Sequence, residues 1–235
     1  MAEFMVMILE NETEDRKLTP SETKALVEGH SAYEGRLRAA SAYVDGGRLR
    51  PSVEGRRVGN RDGQPHVEAG PFGDHSLSGY YVLEAEGLDA AVALANGCPL
   101  PPGGQIDVRP LMKGRHERDK TNQRGRVFGY AVLGNAPNEQ AWIDVMDRID
   151  ESTNACFPAD RFLGGVRLEA PGRGRRVASA GGRRAVFDGP FLESKEVIGG
   201  IFFMRMASLE EAIEWASRSE FMKHGTLEIR ELWRS

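Results

Sequence analysis

Cysteine is nearly absent from this chain: Cys98 and Cys156 are the only two in 235 residues. They lack the paired spacing of a metal site, and two thiols cannot form the disulfide framework of a small secreted domain, so free thiols in a reducing compartment are expected. A long apolar run is missing as well. Met1 to Glu10 contains only about six apolar residues in a row, short of the length a membrane span or signal peptide needs. It is followed by acidic Glu12, Glu14 and Asp15. No membrane is expected, and the cytoplasm is the expected location. Neither sign of charge dominates, with 31 Lys and Arg against 35 Asp and Glu, a net charge of −4. With no broad basic surface, nucleic acid is not an expected partner. There are 28 glycines, yet no phosphate-loop or dinucleotide fingerprint stands between a strand and a helix, so no nucleotide cofactor is expected.

What the chain does contain is an internal repeat. Tyr43-Val44-Asp45-Gly46-Gly47-Arg48-Leu49 matches Phe162-Leu163-Gly164-Gly165-Val166-Arg167-Leu168 at an offset of 119 (162 − 43). The same offset carries Ala69-Gly70-Pro71-Phe72 onto Asp188-Gly189-Pro190-Phe191. After small indels, Leu88 to Ala95 meets Leu209 to Ala216, and Ile106 to Arg109 meets Leu227 to Arg230. Two homologous repeats follow, residues 1–113 and 124–235, joined by a charged linker at 114–123.

Each repeat reads as the same series of elements. In the first, Phe4 to Leu9 predicts a buried strand, and Thr19-Pro20-Ser21-Glu22 opens a helix with Thr19 as N-cap, Pro20 at the first position and Glu22 closing a capping box. Leu26, His30, Tyr33, Leu37 and Ala40 form its inward stripe. Gly46-Gly47 predicts a turn. Arg61-Asp62-Gly63-Gln64 predicts a hairpin, because Asp-Gly supplies the positive φ of a tight turn. A strand from Tyr80, a helix from Leu88 and a strand from Gln105 complete the repeat. The second repeat runs parallel: a strand at Val127 to Leu133, a helix after Pro137 with Trp142, Val145, Met146, Ile149 and Thr153 inward, strands at Arg161 to Leu168, Arg176 to Ala180, Arg183 to Phe187 and Ile201 to Met206, a helix opened by a second capping box, Ser208-Leu209-Glu210-Glu211, and a last strand from Leu227.

The fold class is therefore α+β, with two ferredoxin-like repeats in which helices cover one face of an antiparallel sheet. The remaining apolar faces predict that the two sheets pack into a dimeric α+β barrel within one chain, a pseudo-dimer.

The stretch Asp188-Gly189-Pro190-Phe191-Leu192-Glu193-Ser194-Lys195-Glu196 with Gly199-Gly200 resembles the signature of the YCII-related, DGPF-domain proteins. The resemblance covers both repeats and implies the same barrel. It also implies two functional classes. One is a small-molecule-binding or regulatory module, with a protein of the transcription machinery as a partner. The other is a cofactor-independent lyase or isomerase, similar to a dehydrochlorinase, working through a His–Asp pair.

A histidine oriented by a carboxylate suits acid–base chemistry near neutral pH. His30 and Asp188 are the candidate catalytic residues, though they fall in different repeats: Ala69 stands where the first motif copy would have the aspartate, and Ile149 stands at the helix position of His30. Tyr33, Glu68, His75, Glu193 and Lys195 are candidate binding residues. His66, His75, Glu68 and Asp74 lack metal-ligand spacing, so no metal is expected.

Overall fold

The computed structural model describes residues 1–12, 18–73, 75–112, 125–134, 138–156, 160–180, 183–189, 197–223 and 225–233. The first repeat forms β1 (Ala2–Glu10), α1 (Pro20–Ala39), β2 (Tyr43–Arg48), β3 (Arg56–Arg61), β4 (Gln64–Ala69), β5 (Ser76–Ala85), α2 (Leu88–Ala95) and β6 (Gln105–Pro110). The second forms β7 (Arg126–Gly134), α3 (Glu139–Cys156), β8 (Phe162–Arg167), β9 (Arg175–Ala180), β10 (Arg183–Asp188), β11 (Val197–Met206), α4 (Leu209–Arg218) and β12 (Thr226–Glu231). The linker 114–123 lies outside the described residues.

Local chemistry accounts for several boundaries. At the start of α1 the Glu22 amide donates to Thr19 Oγ1 at 3.3 Å while the Thr19 amide donates to Glu22 Oε2 at 2.8 Å, so the capping box is complete. At α4, Ser208 Oγ accepts from the Glu211 amide, but the Glu211 carboxylate turns to the Ala207 amide instead of closing the box. Asp62 (φ 54) and Gly63 (φ 80) make the tight turn between β3 and β4, where consecutive positive φ values suit the twist of the flanking strands.

The strands form two six-stranded sheets, in the orders β10-β9-β6-β1-β5-β2 and β4-β3-β12-β7-β11-β8. Among the described residues all pairings are antiparallel. Each sheet thus takes its edge hairpin from the other repeat. The compact units interleave accordingly: the first comprises Met1–Arg48, Phe72–Gly114 and Pro171–Phe191, the second Leu49–Pro71, Arg115–Ala170 and Leu192–Ser235. The sequence repeats and the compact units are therefore different partitions of the chain.

In the first unit the core lies between the sheet and its helices. Phe4, Val6, Ile8, Tyr81, Leu83, Ile106 and Val108 pack with Tyr33 and Leu37 of α1 and Ala91, Val92 and Ala95 of α2. Val177, supplied by the second repeat, is fully buried in this core. In the second unit Val58, supplied by the first repeat, is equally buried opposite Leu227. Full burial of a valine stabilises by roughly 1.5–3 kcal/mol, so each hairpin is anchored hydrophobically in its host sheet. The second unit also buries Trp142, whose indole N–H donates to the Leu168 carbonyl at 3.0 Å, and stacks Tyr130 on Phe202 at 4.8 Å.

Two further expectations need correction. Gly46-Gly47 does not turn the chain but lies inside β2, where a β-carbon at Gly46 would sit 2.9 Å from the Tyr81 ring. Close approach of that ring, not a bend, is what the glycine permits. Ala40, expected inward, caps α1 and is exposed. The side chains of Val145, Ile149 and Thr153 lie outside the described residues. Among the described residues no helix is long and apolar enough to cross a membrane.

Candidate functional site

The α1 stripe carries His30 toward the sheet, as its helical spacing predicts. There its Nδ1 lies 3.1 Å from the Tyr81 hydroxyl of β5. The imidazole and the Tyr81 ring are stacked at 6.2 Å, and Tyr33 and Tyr43 meet Tyr81 edge-on at 5.1 and 6.4 Å. Burial lowers the His30 pKa from 6.5 to about 4, with the nearby Arg48 charge adding to the effect. The imidazole is thus neutral at neutral pH. Burial likewise pushes the phenols of Tyr81 and Tyr33 well above their usual range. Arg38 lies over the Tyr43 ring at 3.8 Å, on the exposed side of the cluster.

Asp188 has a different environment. It ends β10 opposite Arg175, and its carboxylate lies 2.7 Å from Arg175 Nε with 83% of the side chain exposed. The next residue, Gly189, packs on the short turn Pro171–Arg173, where a β-carbon would be 2.6 Å from the Pro171 carbonyl oxygen. Gly70 repeats this arrangement on the turn Ser52–Glu54, at 2.0 Å from the Ser52 carbonyl oxygen. Both motif copies therefore lock the end of a hairpin against a backbone turn.

The structure thus brings His30 and Tyr33 together with Tyr81 and gives Asp188 an arginine partner. Tyr33 is buried, with its hydroxyl donating to the Leu94 carbonyl at 3.2 Å. His75 is exposed, with Nε2 3.4 Å from Gln105 Nε2 in the first unit. Glu68 is exposed on β4 opposite Arg57, in the second unit. Glu193, Lys195 and Asp74 lie outside the described residues. Among the described residues no group of three or more His, Cys, Asp or Glu side chains is placed to hold a metal ion. The Cys98 thiol is free and buried, with its pKa pushed up to about 12 by burial.

Two partners were not legible in the sequence. Tyr81 stands 51 residues from His30, and only its place in β5 brings it to the helix side. Asp45 is buried, and its Oδ2 accepts from the Tyr80 hydroxyl at 3.1 Å. A carboxylate next to a glycine pair reads locally as a turn residue, which hid it.

The fold and this site define a duplicated α+β protein with a neutral, tyrosine-bound histidine in one unit. The YCII-related domain model matches residues 4–115 and again 136–235, and the chain belongs to that family as a tandem duplication. No curated protein matches the chain. Among solved structures, it is similar to a protein designated a candidate monooxygenase from Fusobacterium nucleatum subsp. nucleatum, at 10% identity over 98% of this chain and 91% of that one, TM-score 0.42. It is also similar to a protein designated a candidate chlorite dismutase, at 8% identity over 100% of this chain and 96% of that one, TM-score 0.42.

Proposed function

We propose that this YCII-related protein is a small-molecule-binding or regulatory module in which His30 and its tyrosine neighbours bind ligand without turning it over. The observation that carries this reading is the partner of His30. Its Nδ1 faces a phenol, and a pKa of about 4 makes the imidazole a weak base at neutral pH. A general base works best with a pKa near the operating pH. The lyase reading needs a carboxylate to orient the histidine, and the Asp188 carboxylate is engaged by Arg175. A neutral imidazole and a phenol side by side remain good hydrogen-bonding groups for an uncharged polar ligand. The cytoplasmic location, the face-to-face barrel and a partner in the transcription machinery belong to the same proposal.

A thermal-shift ligand screen tests it. A compound that stabilises the wild type, and not His30→Gln, without being converted, supports the binding role. Conversion of a small substrate that is abolished by both His30→Gln and Asp188→Ala would establish the lyase instead.

A further inference from the structure

A second feature, in the other unit, is independent of the histidine cluster. Arg50, Pro51, Glu54, Arg126, Arg230 and Glu231 are among the residues lining a small cleft that opens to solvent. Three arginines face two carboxylates there, an excess of one positive charge in a chain whose net charge is −4.

The arginines differ in role. Arg230 is buried, and its Nε donates to the Arg50 carbonyl at 2.8 Å, with Nη2 donating to the same oxygen. The Arg50 amide donates to the Glu231 carbonyl at 2.8 Å, so the Arg50 backbone is held from both sides. Arg126 is fixed by two hydrogen bonds to Glu231, at 2.9 and 2.7 Å. The Arg50 side chain is less fully engaged. Its guanidinium lies over the Trp233 ring at 4.5 Å, and its Nη1 donates at 3.2 Å to Glu54, whose side chain is 48% exposed. Its Nε is 3.3 Å from Glu231 Oε2, within ion-pair range, but makes no hydrogen bond. A half-exposed ion pair of this kind is weak and exchangeable.

Comparing the repeats separates scaffold from site. Arg109 in the first repeat corresponds to Arg230, and both are buried. The position equivalent to Arg50 is Glu169, the one equivalent to Glu54 is Arg173, and the one equivalent to Glu231 is Pro110. The buried arginine is thus common to both repeats, while the charges at the adjoining turn are swapped: Arg50 and Glu54 in one repeat stand where Glu169 and Arg173 stand in the other.

We propose that this cleft binds a compact oxyanion, a phosphate or a small carboxylate, with Arg50 as the main contact and Glu54 as the internal carboxylate that the ligand displaces. A guanidinium pairs with an oxyanion through two parallel N–H donors; in Arg50, whose side chain is 36% exposed, the two Nη groups form such a pair, with Nη1 held by the half-exposed Glu54 and Nε buried beside Glu231. The rigid backbone reduces the ordering cost of binding.

The test titrates the full-length protein with inorganic phosphate and, separately, with acetate, each against chloride at matched ionic strength, by calorimetry and thermal shift. Saturable binding of either anion is expected, weakened at least tenfold in Arg50→Met, unchanged in Arg218→Met, and tightened several-fold in Glu54→Gln. The arm that saturates identifies the oxyanion. If neither anion binds above chloride, or if Arg50→Met binds as well as wild type, the site does not exist. Should Arg50→Met fail to fold, Glu54→Gln decides alone: unchanged or weaker binding overturns the proposal.

Discussion

Arg57 and Glu228 are 171 residues apart in sequence, yet Nε and Nη2 of the arginine lie 3.0 and 2.9 Å from one carboxylate oxygen of the glutamate. Arg57 belongs to the hairpin of the first repeat and Glu228 to the β12 strand of the second, and they face each other in the β3–β12 register. The other sheet repeats the arrangement. Arg176 of β9 donates to Asp107 of β6 at 2.6 and 2.9 Å. Each exchanged hairpin thus brings an arginine–carboxylate pair and a buried valine to its host sheet.

Removing one member of such a pair should cost more than a surface ion pair would. In Arg57→Ala the Glu228 carboxylate, 6% exposed, keeps only Arg230, at 3.3 Å. A loss of about 1.5–3 kcal/mol is expected, the range for a hydrogen bond to a charged group. Arg176→Ala should cost less, because Asp107 and Arg176 are 19% and 20% exposed and solvent can replace the partner. Equilibrium denaturation in urea gives both values.

The glycines of the two Gly-Pro motifs should be intolerant of a methyl group. In Gly70→Ala the new carbon would meet backbone that cannot swing away, and overpacking of this kind costs about 1–3 kcal/mol. Gly189→Ala should behave similarly. Gly172→Ala, where nothing lies within 4 Å, is the matched control and should be close to neutral. Equal melting temperatures for all three variants would remove the packing role given to the motif.

His30 gives a signed pH dependence. Its folded pKa, about 4, is below the ordinary 6.5, so between these values the unfolded chain binds the proton more readily. Stability from this group is present above about pH 6.5 and is lost as pH falls toward 4. His30→Gln should flatten the stability slope in that window. In the wild type the His30 imidazole resonances should show no titration near pH 6.5 by NMR.

Asp188→Ala should change stability little, by about 0–1 kcal/mol, as expected of an exposed ion pair. Salt should weaken the Arg175 contact in the wild type and erase the difference between the two proteins. A loss of several kcal/mol in urea denaturation would show that the carboxylate does more than pair with Arg175.

The elements legible in sequence were those set by neighbours in the chain. The Thr19 capping box, the Asp62-Gly63 turn and the α1 stripe each depend on residues within a few positions of one another. The hairpin exchange was not legible, for a physical reason. Val58 and Val177 are equivalent positions of the two repeats, and β6 and β12 are equivalent edges. Either hairpin therefore fits either edge as far as apolar pattern can tell, and only the three-dimensional path of the chain chooses. The same limit applied to the site. Helical spacing placed His30 on the inner face, whereas its partner depended on which strand lay beneath α1. The Asp188 motif was conspicuous as a string of residues, and its geometry turned out to serve the end of a hairpin.

Exchanging the hairpins also changes what the duplication means for inheritance. In two repeats that each closed on themselves, either copy could diverge freely so long as its own contacts survived. Here Arg57 answers to Glu228, Arg176 answers to Asp107, and each valine sits among the residues of the other copy. A substitution in one repeat is tolerated or rejected by its sibling. The freedom to specialise is left to positions outside the joints, such as the one where Arg50 stands in one repeat and Glu169 in the other.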